Sequence, residues 1–202
     1  MYGVVRLIIG CLFFGCSAIV MKKNKAVNKF KLRVILAGIS VILVFVLGFL
    51  PFENLFITFQ SPEAAYEYSN FGKSNVDLVV EGNNCDFVIE QENESYTYLI
   101  IPKTSDGWKT EIGLNTKMIS QKFFDGITVQ VYQYKNTNDY FITVLDTNGG
   151  EAKISDEYNT EFYRLERFDD VLQKNFVTYF AHISDLTIEY SLTVNGSKIE
   201  LT

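Results

Sequence analysis

No aspartate or glutamate occurs before Glu53 in this chain of 202 residues, and only one histidine, His182, occurs anywhere. Cysteine is scarce too, at Cys11, Cys16 and Cys85. Each scarcity removes a class of chemistry. A lone histidine cannot build an imidazole metal cluster and leaves histidine-dependent triads a single candidate base. Only Cys85 lies beyond the apolar N-terminal region, so no disulfide can brace the rest of the chain, and a packed thiol suits it better than a nucleophile. There is no phosphate-binding glycine loop, no G-x-S-x-G and no paired-cysteine metal motif. The expectation is a non-enzyme with no cofactor, no metal and no catalytic residue. A degenerate envelope hydrolase is the enzymatic alternative, with Asp169 and Asp170 as its carboxylates.

What the first 52 residues hold instead is apolar length. Residues 2–21, YGVVRLIIGCLFFGCSAIVM, carry Arg6 as their only charge, and residues 34–52, VILAGISVILVFVLGFLPF, carry none. At about 1.5 Å per residue, ~20 helical residues cross a hydrocarbon core of ~30 Å. Neither run shows the polar face of a helix in a soluble domain. Both are therefore expected to be transmembrane helices. A signal peptide fits poorly, because the positive charge follows the first apolar run and CSA at 16–18 is a poor cleavage site. IIGC at 8–11 makes a poor lipobox, since the apolar stretch before it is too short. Arg6 is expected to snorkel to the head groups. Cys11, Gly15 and Ala18 form a small-residue stripe that Ala37 and Ser40 are placed to face.

Between the runs lies MKKNKAVNKFKLR, residues 21–33, with six basic residues and no acidic one. Short basic loops stay on the cytoplasmic side. Lys22, Lys23, Lys25, Lys29, Lys31 and Arg33 are thus the topology determinants. They place loop 22–33 in the cytoplasm and residues 53–202 outside an integral plasma-membrane protein.

Beyond residue 52, eleven basic residues stand against 24 acidic ones, a net of −13. That charge excludes nucleic acid as a partner and argues against adhesion to anionic lipid. The bilayer is met through the helices alone. The size suits one domain with its own core. Frequent Asn, Lys, Ile, Tyr and Phe suggest a bacterium with an AT-rich genome, where the sequons at Asn93 and Asn195 carry no meaning.

Residues 53–75 read as a juxtamembrane segment with a short helix over 62–70. Ser61 is its N-cap, Pro62 its first residue, Gly72 its C′ residue, and Ala64, Tyr68 and Phe71 one face. From residue 76 to 202 the apolar period is two. Strands are expected at 76–81, 85–91, 96–102, 126–134, 139–146, 177–183, 186–194 and 197–201. The Asn195-Gly196 pair suits a type I′ turn. DTNGGE at 146–151 departs from a calcium loop and reads as a hairpin turn. Tyr158, Phe162, Leu165, Leu172 and Phe176 approximate a helical stripe, which leaves a helix or an irregular strand open for 156–176. The fold class expected is two transmembrane helices plus a mainly antiparallel β extracytoplasmic domain, a sandwich being one way to bury its faces.

Tyrosine is the suggestive excess. Tyr96 and Tyr98 share a face with Ile100. In ITVQVYQY, Val129 and Val131 share one face while Tyr132 and Tyr134 share the other. With the valines as core, Tyr132 and Tyr134 are expected to point outward and, with Tyr96 and Tyr98, to form a recognition platform for a peptide or glycan. The function read from this is a non-catalytic recognition or accessory module of a bacterial cell envelope, with a membrane or envelope protein or a glycan as partner. The alternative is a subunit of a larger membrane complex that acts through its helical hairpin.

Overall fold

The computed structural model describes residues 4–23, 29–70, 74–92, 95–111, 113, 115–186 and 189–201. Helices α1 (Val4–Lys23) and α2 (Lys29–Phe49) run antiparallel: Arg6 reaches the Leu47 carbonyl at one end, while Met21, Lys22, Leu32 and Arg33 line one crevice at the other. Lys22 and Lys23 extend α1, and Lys29, Lys31 and Arg33 open α2, so the connection is shorter than the expected loop. Lys25 lies outside the described residues. Among those residues, α2 holds the one stretch long and apolar enough to cross a membrane, Phe30–Leu47, with mean hydropathy 2.4 and only 6% of it buried.

Two expectations about the hairpin are corrected. Arg6 does not snorkel. It is buried against Glu53, in a 3-10 turn at Phe52–Leu55, at 2.7 Å. An acidic partner one helical hairpin away is a better solvent for a guanidinium than a long reach to head groups. The helix contact also lies on a different face. Arg6, Ile9, Gly10, Phe13 and Ser17 are the less exposed of the described positions of α1, and Leu32, Leu36, Ser40, Leu43, Val46 and Leu47 those of α2. Cys11, Gly15, Ala18 and Ala37 are exposed. Burial of Arg6 sets the rotation of α1, and the stripe at 6, 10, 13 and 17 follows at helical spacing.

Helix α3 (Pro62–Asn70) begins as expected, with Ser61 Oγ accepting the Ala64 N–H at 3.2 Å. Its buried face is Pro62, Ala65, Tyr66 and Ser69, one position round from the Ala64 and Tyr68 stripe. Phe71 and Gly72 lie outside the described residues. Three antiparallel sheets follow. The first orders β1 (Val76–Val80), β2 (Cys85–Glu92), β3 (Ser95–Thr104) and β4 (Gly107–Trp108). In the second, β5 (Thr116–Phe124), β6 (Ile127–Tyr134) and β7 (Asp139–Asp146) are followed across the sheet by β10 (Lys174–Ser184) and β9 (Tyr163–Asp169). The third sets β11 (Ser191–Val194) between β12 (Ser197–Glu200) and β8 (Ile154–Asp156).

The sheets stack in layers with the five-stranded sheet in the middle. One of its faces, with Val129, Val131, Ile142, Val144 and Val177, packs on Leu192, Val194 and Ile199 of the small sheet. The other, with Tyr132, Tyr134, Phe141 and Phe180, packs on Phe87, Ile89 and Ile100 of the first sheet. Helix α3 covers the first sheet's far side through Ala65 and Tyr66 against Val88 and Ile101. Burying the large apolar residues of three layers supplies the main stabilisation, on the order of 1.5–3 kcal/mol per fully buried Val, Leu, Ile or Phe.

The stretch 156–176 is not helical. It holds β9, which pairs with β10 through a turn in which Asp169 Oδ1 accepts the Val171 and Leu172 N–H groups. DTNGGE is no hairpin either, for it carries the chain from β7 to β8 in a different sheet. In the segment 186–194, residues 187 and 188 lie outside the described residues, and β11 is its ordered strand.

Candidate functional site

The alternation along β6 sorts Val129 and Val131 from Tyr132 and Tyr134 as expected, but the outward orientation of the tyrosines is corrected. Tyr132 is 6% exposed and Tyr134 4%. The first sheet covers this face of β6 through Phe87, Ile89 and Ile100, and tyrosine fills an inner face when its hydroxyl finds a partner. Tyr134 Oη donates to Glu111 at 3.4 Å. Tyr132 Oη donates to Gln130 Oε1 at 2.9 Å and shares a hydrogen bond with Tyr98 Oη. Burial, then the contact with Tyr98, raises the Tyr132 pKa; burial, then the Glu111 charge, raises that of Tyr134. Both stay neutral donors.

Of the four tyrosines, the structure brings Tyr98 and Tyr132 together and sends the others elsewhere. Tyr96 packs edge-on against Phe180, with centroids 5.8 Å apart. Tyr134 closes the core under Lys135, whose ammonium lies 4.9 Å from its ring. Tyr98 and Tyr132 sit with ring centroids 5.1 Å apart, and Phe87 backs Tyr98 at 5.0 Å. They line an open cleft of about 460 Å³ between β3 and the β5–β6 hairpin, with Ile100, Thr116, Met118 and Gln130. The lining carries no charged residue. The Thr116 hydroxyl is buried with no hydrogen-bond partner among the described residues.

Sequence reasoning missed β5, which supplies Thr116 and Met118. Its apolar residues come in adjacent pairs, and its register shifts between Met118 and Ser120, so it shows no clean alternation. The usable signal was Asp125-Gly126, a type I′ turn with φ of 41° and 73°.

His182 and Cys85 meet at Asp139 in a buried polar cluster. Asp139 accepts from the Asn83 and Asn84 N–H groups at 2.8 and 2.9 Å, from Asn84 Nδ2 at 2.8 Å and from His182 Nε2 at 2.8 Å. These bonds pin the β1–β2 turn to the central sheet. Burial, then the charges of Asp139 and Asp86, pushes the Cys85 thiol up, so it stays protonated and supplies no thiolate. No group of three or more metal-ligating side chains occurs among the described residues.

The fold and the cleft define a layered antiparallel β domain with an uncharged, aromatic-walled groove, joined to an apolar helical hairpin. Comparison with family models, with curated proteins and with solved structures gives no match.

Proposed function

We propose that the chain is a membrane-anchored, non-catalytic recognition module of a bacterial cell envelope. In this reading α1 is a second span beside α2, loop 22–33 faces the cytoplasm, and residues 53–202 lie outside. The exposed apolar surface of α2, and Ile8, Leu12, Phe14, Ile19 and Val20 on α1, support a lipid setting. Exposed Leu50, Leu55 and Phe56 suit the interface where the chain leaves the second span. The basic residues at the opposite end of the hairpin support the orientation. The observation that carries recognition is the open, uncharged cleft walled by Tyr98 and Tyr132.

The alternative is a complex subunit working through its hairpin. It draws on the buried Arg6–Glu53 pair, which makes the hairpin a preset unit. Crosslinked co-purification from native membranes tests both. A partner lost with Met118→Trp and kept when residues 1–50 are replaced by an unrelated two-span hairpin supports recognition through the cleft. The reverse pattern supports the alternative.

A further inference from the structure

Among the described residues, the edge of β3 beside the cleft is a strand edge without a partner. Its ladder phase follows from two bonds. Lys103 N–H donates to the Asn84 carbonyl at 2.8 Å, so Lys103, Ile101 and Leu99 direct their backbone groups toward β2. The alternate residues, Pro102, Ile100, Tyr98 and Tyr96, direct theirs away. Pro102 does so, its carbonyl accepting the Lys109 N–H at 3.0 Å. Strand β4 covers only Lys103 and Thr104. Outside the β2 ladder, no backbone bond reaches Tyr96, Tyr98 or Ile100 among the described residues.

Protein edges are ordinarily guarded by lysine, by bulges or by a covering element. The edge strand across the cleft has both of the first two: Lys117 and Lys122, and the irregularity between Met118 and Ser120. SYTYLII in β3 has no charge, and its pairing to β2 runs without a bulge. The layers point the same way. The rings of β2 and β3 lie over β6, β7 and β10, through Tyr98 on Tyr132, Phe87 on Phe141 and Tyr96 on Phe180. Among the described residues the first sheet has no full strand above β5, and Met118 is 47% and Phe123 73% exposed.

We propose that this vacant strand position receives an extended polypeptide segment of a partner protein, added to the outer edge of β3. The inference rests on the recognition reading and names its ligand class. The segment hydrogen-bonds to the backbones of Tyr96, Tyr98 and Ile100 over about 14 Å of edge. Its inward side chains are uncharged, because they meet Met118, Tyr132 and Gln130. Alternate side chains face away from the cleft and are free to carry charge.

The full chain in lipid nanodiscs is panned against a displayed library of peptides of about ten residues, and enriched peptides are synthesised and titrated. Enriched sequences should hold uncharged residues at alternate positions. Methylating the alternate backbone nitrogens along one edge of the peptide should weaken binding by about tenfold or more, as expected for lost ladder bonds. Tyr98→Ala keeps the outward N–H and Tyr98→Pro removes it without touching the β2 ladder, so the proline variant should bind about tenfold more weakly than the alanine one. Met118→Trp, at a half-exposed position, should block the cleft and leave the melt unchanged. No enrichment over empty nanodiscs overturns the proposal. Binding indifferent to both N-methylation and Met118→Trp also overturns it, while leaving a recognition role elsewhere on the domain. A homodimer dissolved by Tyr98→Pro would assign the position to a second copy of this chain and overturn the foreign segment.

Discussion

Arg6 and Glu53 close the helical hairpin with a buried ion pair, Nη2 lying 2.7 Å from Oε1 and Nε 2.9 Å from Oε2, with 2% and 1% of the two side chains exposed. Arg6 Nη1 also donates to the Leu47 carbonyl at 3.2 Å, which ties α1 to the last turns of α2. A buried pair costs desolvation on both sides, so its net worth is small while the loss of one member is not. Arg6→Met or Glu53→Leu alone should each destabilise the detergent-solubilised chain by roughly 3–5 kcal/mol. The double variant should recover most of that. Denaturant unfolding of the four proteins gives the answer, and single variants as stable as the parent would show that the pair does not hold the hairpin.

The burial of Tyr132 and Tyr134 reverses what an outward platform would predict. Removing either ring from the core, as Tyr132→Ala or Tyr134→Ala, should cost about 3–5 kcal/mol by analogy with Phe→Ala. Tyr132→Phe keeps the ring and loses the bonds to Gln130 and Tyr98, for about 1 kcal/mol. Thermal melts of the three variants distinguish the cases. A Tyr132→Ala protein that melts like the parent would mean the ring is not packed.

Much of the domain was legible because its strands alternate. VDLVVE, CDFVIEQ and DYFITVLD were readable from periodicity and turn residues, and each is a strand with the expected span to within a residue. β5 was not, since its two Lys residues and the register shift at Met118 erase the period. β9 was not, since YRLERFD is exposed at most positions and its neighbours mimic helical spacing. The site was half legible. Period two sorted Tyr132 from Val131 correctly, but it reports which residues share a face and says nothing of what covers that face. Covering is a tertiary fact: β2 and β3, some 40 residues earlier, lie over Tyr132.

Acid should unfold the domain through Asp139 and Asp156. Burial alone would raise their pKa values. In Asp139 the hydrogen bonds from Asn84, Asn83 and His182 outweigh it, and in Asp156 those from Thr160, Tyr190 and Tyr158 do. Both folded pKa values therefore lie below the unfolded value of about 3.9. Their stabilisation is present in full above that value and is lost as the pH falls through the folded values. Denaturant midpoints should be insensitive to these groups at neutral pH and fall steeply below about pH 4. Asp139→Asn should be less stable at neutral pH and lose less on acidification. A parent and variant with parallel acid profiles would remove Asp139 from this role.

Topology can be read by thiol labelling, with the burial of Cys85 as the constraint. Cys85 is fully buried, so a membrane-impermeant maleimide should miss it in the folded chain on either side of the bilayer. A cysteine placed at Ser197, in the β11–β12 hairpin, offers a partly exposed thiol in the same domain. In cells with a permeable wall and an intact membrane, Ser197→Cys should label without lysis. Labelling only after lysis would put residues 53–202 in the cytoplasm.

The last prediction concerns where the outer domain begins. Counting from the helix signal, a chain starting at Ser61 holds every strand. The structure ties the preceding segment into the first sheet. The Asn54 side chain donates to the Thr110 carbonyl at 2.9 Å and accepts the Thr110 N–H at 2.8 Å. Lys109 Nζ donates to the Ile57 carbonyl at 2.9 Å. Phe59 exchanges two backbone bonds with Trp108, at 2.9 and 3.0 Å, and its ring lies 5.2 Å from that of Tyr68 on α3. Strand β4 is only two residues long, so Phe59 is its second neighbour and its main support. Thr110 is 1% exposed, and deleting Asn54 strands its N–H at about 1–3 kcal/mol for the unpaired donor, with further loss at Trp108. A chain beginning at Pro51 should unfold cooperatively, with a β-type circular dichroism spectrum and no change on reduction, since Cys85 has no partner to bridge. A chain beginning at Ser61 should be less stable by about 3 kcal/mol or more, from at least two such lost bonds. Equal stability of the two would show that residues 51–60 belong to the membrane hairpin and not to the sheet.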